Sequence, residues 1–150
     1  MQIRFELEEG ISILNNLYVD GYLKVFANDN NEDELLFFTT TGHSTILSDF
    51  TSKLKTLHQT GKSQKLNPFG NANILTLEKN RSKLIVSHSK KVGENSRWQH
   101  IYNFTEFVVA YIKELQRYLD TAKKADTNIT TMNTYVYLKE GLDTLQAIIK

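Results

Sequence analysis

Residues 46–57 read ILSDFTSKLKTL, and 61 residues later positions 107–118 read FVVAYIKELQRY. The apolar members of the first stretch, Ile46, Leu47, Phe50, Leu54 and Leu57, fall on Phe107, Val108, Tyr111, Leu115 and Tyr118 of the second. Each set is spaced to line one face of a helix. The same offset carries Ile13 and Leu14 onto Ile74 and Leu75, and Leu23 and Val25 onto Leu84 and Val86. Read outward from the two helices, the chain is an α+β fold. A unit of antiparallel strands followed by a helix is used twice, at about 2–61 and about 70–124, and an extra helix occupies about 130–150. Only six of the 51 ungapped pairs from Gly10 to Thr60 are identical, so the reading rests on apolar phasing. At 150 residues the chain has the size of one domain able to bury its own core. That core is expected to hold Leu23, Val25, Phe50, Leu54, Leu84, Val86, Tyr111 and Leu115.

In the first unit, alternation and turn residues predict strands at about 2–8, 11–18, 21–27 and 34–40. Asp20-Gly21 predicts a hairpin between the second and third, because a tight turn there needs positive φ. Ser44 is the expected N-cap of the first helix, and Gly61 its terminator. Residues 62–70, with the only proline, Pro68, form a polar connector that is also the one candidate for a missing first strand of the second unit. Strands at about 72–79, 82–89 and 97–103 follow, and Thr105 is the expected cap of a helix over 106–123. In the last segment Tyr135, Leu138, Leu142, Leu145 and Ile149 recur at alternating steps of three and four, a narrow stripe suited to packing on another helix. It predicts a homodimer seam through Leu138, Leu142 and Leu145, or a cover for the chain's own sheet. Gly141, in mid-helix, weakens that helix by about 1 kcal/mol relative to alanine.

The chain has no cysteine, which removes disulfides and thiolate metal sites. Its N-terminus alternates Ile3, Arg4, Phe5, Glu6, Leu7, which is strand patterning and not a signal peptide. The apolar run Leu35–Phe38 is too short to cross a bilayer, so a cytoplasmic, membrane-free protein is expected. The net charge of +1 conceals an asymmetry. Residues 1–52 carry two basic and nine acidic side chains, residues 53–97 ten basic and two acidic, and residues 98–150 six of each. Acidic and basic strands side by side would neutralise locally, whereas a fold that gathers the basic segment on one surface would attract an anionic partner.

Catalytic motifs are lacking: the sequence holds no G-x-S-x-G, no Walker loop and no H-E-x-x-H. His43, His58, His88 and His100 have no ligand spacing, so no metal site or cofactor is expected. Asp29, Asn31 and Asp33 open like an EF-hand loop, but Glu34 and Thr40 stand where the turn glycine and the bidentate glutamate belong. Glu6 and Glu8 share a strand face without a second pair to oppose them. The expectation is a protein that binds and does not catalyse.

The remaining constellation is cationic. Lys79, Arg81 and Lys83 crowd one hairpin, Lys90 and Lys91 end its return strand, and Arg97 with Trp98 opens the next. A single-stranded nucleic-acid platform needs such residues: cations to track phosphates, and flat rings on which unstacked bases rest.

Gly21-Tyr22-Leu23-Lys24-Val25, an acidic loop, Leu35–Phe38 and a helix holding Asp49, Phe50 and Leu54 together resemble a repeat of the Whirly and Pur-alpha group of single-stranded nucleic-acid binders. The resemblance covers most of residues 10–124 in topology. It implies binding along open sheet faces, with the C-terminal helix aiding assembly. A second resemblance, at the level of fold alone, is to small bacterial immunity proteins. On that alternative the acidic set Glu6, Glu8, Glu9, Asp29, Glu32, Asp33 and Glu34 would dock a basic toxin.

Overall fold

Strand alternation at the N-terminus sets the first sheet. In the computed structural model, which describes residues 1–7, 21–26, 33–39, 43–66, 73–90, 98–125, 127–131 and 133–149, β1 (Gln2–Leu7) buries Ile3 and Phe5. It pairs antiparallel with β2 (Gly21–Phe26), from Gln2 opposite Phe26 to Leu7 opposite Gly21. β3 (Asp33–Thr39) takes the other side of β2, with a register shift at Leu23/Lys24. Both edges of β2 are therefore occupied. This corrects the expected hairpin of 11–18 with 21–27 across Asp20-Gly21: no edge of β2 remains for it, and 11–18 lies outside the described residues.

Helix α1 (His43–Thr60) follows, with Leu47, Phe50, Leu54 and Leu57 fully buried along its inner face. Gly61 ends it as expected. Its φ of +69° is one that glycine adopts without a Cβ penalty, and its N–H donates to the Leu57 carbonyl at 2.9 Å. Two short bonds then turn the chain: the Lys62 amide donates to Thr60 Oγ1 at 3.1 Å, and Gln64 Nε2 to the Lys62 carbonyl at 2.9 Å. The connector does supply a strand, β4 (Gln64–Leu66). β5 (Asn73–Asn80), β6 (Lys83–Lys90) and β7 (Trp98–Asn103) complete a second antiparallel sheet in the order β4-β5-β6-β7.

Helix α2 (Phe104–Ala125) is capped by Asn103, whose Oδ1 accepts from the Glu106 amide at 2.9 Å. Thr105, the expected cap, lies inside the helix, because the chain turns helical directly after β7. The spacing Asn103-x-x-Glu106 is the sequence signal for this start. Ser44 likewise falls within α1 as it forms, and its side chain is outside the description. A 3₁₀ turn (Thr127–Thr131) leads to α3 (Asn133–Ile148).

The helices do not each lie on the sheet that precedes them. α1 packs on β4 and β5, α2 packs on β1 and reaches β6 and β7, and α3 packs on α1 and α2. The two antiparallel sheets of an α+β fold are as expected, and the correction concerns which helix each sheet meets: the three-residue link after α1 folds β4 back along that helix, and α2 closes over β1 of the first sheet. β2 and β6 do share a position, each the strand before last ahead of a helix and flanked by antiparallel neighbours. That correspondence does not confirm an internal repeat. The crossing of helices produces one buried cluster, in which Phe5 lies 5.4 Å from Tyr111 and 5.7 Å from Tyr118, while Phe50 lies 5.3 Å from Tyr111 and 6.2 Å from Phe107. Val25, Phe50, Leu54, Leu84, Val86, Tyr111 and Leu115 are all fully buried, as expected; the side chain of Leu23 is outside the description.

Leu138, Leu142 and Leu145 are fully buried within the chain itself. The stripe does meet other helices, but they are α1 and α2 of the same molecule, so these leucines are unavailable as a dimer seam. No described helix is long and apolar enough to cross a membrane.

Candidate nucleic-acid interface

The turn Arg81-Ser82 joins β5 to β6, with Asn80 opposite Lys83 as the closing pair. Arg81 and Lys83 are exposed, and they flank a backbone that is itself unusual. Arg81 sits at φ +56°, the left-handed region that costs a non-glycine residue about 1–2 kcal/mol. It is the only non-glycine residue at positive φ among those described. The tip is anchored from outside the hairpin, since the Ser82 carbonyl accepts from the amide of Phe104, the first residue of α2, at 2.7 Å. That bond satisfies one of the open amides at the helix start and fixes the turn over the α2 N-terminus.

Lys79 has a different task. Leu75 and Leu77 on the same strand face are buried, and Lys79 continues that parity to the end of the sheet, where its Nζ lies 5.2 Å from the centre of the Phe104 ring. Phe104 is itself buried and stacks on the ring of His58, at 5.7 Å and 17° between planes. The Lys79 cation is thus half-buried on an aromatic face, an interaction worth about 0.5–1 kcal/mol where solvent reaches it. Its position is structural as much as electrostatic.

Of the other expected cations, Lys90 ends β6 and Trp98 opens β7, paired with His88 in the ladder. The side chains of both are outside the description, and Lys91 and Arg97 lie outside the described residues altogether. The basic segment is also divided. Lys53 and Lys55 lie on α1, where Lys53 Nζ stands 3.8 Å from Asp49 Oδ1, and Lys65 lies on β4. The face of the second sheet turned away from the helices carries Lys65, Glu78, Lys83, Ile85, Gln99 and Ile101, the last 55% exposed. Among the described residues on that face there is no aromatic ring. The structure therefore places Arg81 and Lys83 at the hairpin tip, sets Lys79 at its root on the opposite face of the sheet, and leaves the rest dispersed or undescribed.

The acidic set is less visible. Glu6, Asp33 and Glu34 occupy strand positions opposite Tyr22, Phe26 and Val25, and their side chains are outside the description. Glu8, Glu9, Asp29 and Glu32 lie outside the described residues.

Reading the sequence missed a carboxylate that the fold buries. Glu114, 4% exposed, projects from the apolar arc of α2. It accepts from Arg117 Nε at 2.7 and 3.0 Å, pairs with Arg117 Nη2, takes the amide of Phe5 at 3.4 Å, and stands 4.0 Å from Arg4 Nη1. The hydrogen bond to Glu114 raises the pKa of Arg117 above its ordinary value. The signal was available, since Glu114 follows Tyr111 by one helical step on the face that buries Leu115 and Tyr118. Among the described residues no three His, Cys, Asp or Glu side chains are grouped to hold a metal ion. No protein-family model, curated protein or solved structure matches the chain.

Proposed function

We propose that the chain is a non-catalytic binding protein that engages single-stranded nucleic acid through the β5–β6 hairpin tip. The observation that carries this reading is Arg81: a cation holds a left-handed turn position where glycine would be more stable, and it stands between Lys79 and Lys83. A turn selected for stability alone has no use for a long charged side chain there. A turn that must present a guanidinium to phosphate does, because the planar fork bonds phosphate oxygens in pairs. Two exposed cations on a rigid tip, with Lys79 behind them, supply the phosphate-tracking half of such an interface. Lys90, Lys91, Arg97 and Trp98 would extend it along β6 and β7, Trp98 as the stacking ring.

The test is fluorescence anisotropy of a mixed-sequence single-stranded oligonucleotide at two salt concentrations. Arg81→Ala and Lys83→Ala should each weaken binding to all sequences and reduce the salt slope by about 0.7, the value for one phosphate on a single strand. Trp98→Ala should cost about 1–3 kcal/mol of binding. Absence of binding by the parent protein at low salt would refute the proposal.

A further inference from the structure

A groove runs along the seam where α3 packs on α1. Ser48, Ser52 and Lys55 form its α1 wall, because steps of four and three place them on one helical face beside the buried Leu47, Leu54 and Leu57. Tyr137 and Glu140 form its α3 wall, one step aside from the buried Leu138 and Leu142. Thr51 and Gly141, where the two helices touch, close the floor. The volume is about 240 Å³, below the roughly 300–1,000 Å³ that drug-sized ligands occupy, so the space suits a smaller molecule. Its mouth is open: Ser52 and Glu140 are exposed, and Tyr137 is 59% exposed.

The polar groups on these walls are not spent on the fold. Thr51, Thr60, Thr121 and Thr144 each donate the hydroxyl to the carbonyl four residues back, a common use of a helical hydroxyl. Among the described residues, the hydroxyls of Ser48 and Ser52 have no such partner. The Lys55 ammonium and the Glu140 carboxylate have none either, although Lys53 and Lys139 on the same two helices pair with Asp49 and Asp143. A cation from one wall and an anion from the other therefore line one cavity without closing on each other. Their charges cancel, so the groove has no net attraction for a polyanion. A neutral apolar ligand would strip water from both charges and satisfy neither, and a singly charged one would satisfy only one.

We infer that this groove binds a free amino acid with an apolar side chain. The ligand's carboxylate meets Lys55 and its ammonium meets Glu140, both as charge-assisted hydrogen bonds. Ser48 and Ser52 serve the remaining donors and acceptors, and the Tyr137 ring covers the apolar side chain. The site is built on α1 and α3, not on the β5–β6 turn, and binding here does not depend on nucleic acid.

The experiment titrates the full chain with L-phenylalanine and with L-leucine and follows amide chemical shifts. Both should shift the amides of Ser52 and Gly141 in a saturable way. N-acetyl-L-phenylalanine, which lacks the ammonium, and L-phenylalanine amide, which lacks the carboxylate, should each bind at least about tenfold more weakly. Lys55→Gln and Glu140→Gln keep a hydrogen-bonding group and remove the charge, and each should weaken L-phenylalanine about tenfold. Their urea midpoints should match the parent's, since neither side chain bonds the rest of the fold. No saturable shift with either amino acid, equal binding of either one-charge derivative, or a Lys55→Gln or Glu140→Gln variant that binds as the parent does would each overturn the inference.

Discussion

Replacing Gly141 by alanine should destabilise the protein, although it places a better helix former in the middle of α3. A Cβ at position 141 would stand 2.6 Å from Thr51 Cγ2 and 3.5 Å from Thr51 Cβ, across the contact between α3 and α1. Carbon atoms in contact prefer about 3.5–4.0 Å, so the methyl of Thr51 must give way. It cannot do so freely. Thr51 Oγ1 donates to the Leu47 carbonyl at 2.7 Å and accepts from the Tyr111 hydroxyl at 2.7 Å, whose oxygen also stands 3.2 Å from that carbonyl. Rotating Thr51 about χ1 breaks buried hydrogen bonds worth about 1 kcal/mol each. Alanine gains about 1 kcal/mol in helix propensity, and overpacking costs about 1–3 kcal/mol. With the bonds to Thr51 at risk, the net expectation is a loss of about 1–2 kcal/mol. Thr51→Ser removes the offending methyl and keeps the hydroxyl, at about 1 kcal/mol for the lost buried methyl. The double variant should then return close to the parent, a coupling of about 2 kcal/mol in a double-mutant cycle. Urea denaturation at unchanged m-value reads all four proteins. If Gly141→Ala is more stable than the parent, or if Thr51→Ser fails to rescue it, the close approach of the two helices is not what position 141 requires.

Glu114→Ala should lower stability by about 1.5–3 kcal/mol, because charge-assisted bonds to Arg117 and the acceptor for the Phe5 amide are lost; faster hydrogen exchange at Phe5 would distinguish this from a loss elsewhere on α2. Arg81→Gly should raise stability by up to about 1 kcal/mol by relieving the left-handed turn, while weakening nucleic-acid binding, and a variant that loses stability would show that the turn is not strained. Burial raises the phenol pKa values of Tyr111 and Tyr118 above the ordinary 10.0. Both rings stay neutral in the folded chain while the unfolded chain ionises, so their contribution is intact below about pH 10 and is lost as pH climbs toward the folded pKa values. Urea midpoints measured from pH 9 to 11.5 should fall above pH 10, less steeply in Tyr118→Phe, and a flat profile would contradict the burial of these hydroxyls.

Local periodicity was enough to place α1, α2 and α3 and the strands β1, β2, β3, β5, β6 and β7, because an amphipathic element writes its own repeat of 3.6 or 2 into the chain. Seven of the expected core residues, from Val25 to Leu115, are buried for that reason. Gly61 also terminates α1 by a local rule, the freedom of glycine at positive φ. The charge of the Lys79–Lys83 segment is likewise a property of sequence.

What the sequence could not decide is which face meets which. The crossing of α1 onto β4 and β5, and of α2 onto β1, depends on a short link and on competition among several apolar faces of similar strength. Only that outcome buries Glu114 beside Phe5, lays Lys79 on Phe104, and turns Gly141 from a weak point in a helix into the place where two helices touch. Leu138, Leu142 and Leu145 show the same limit: a stripe spaced for helix packing carries no mark of whether the facing helix belongs to another molecule or to its own, and here α1 and α2 of the same chain fill that place. Hydrophobic burial is non-directional, so the sequence specifies that these side chains leave water, and the tertiary structure chooses their neighbours.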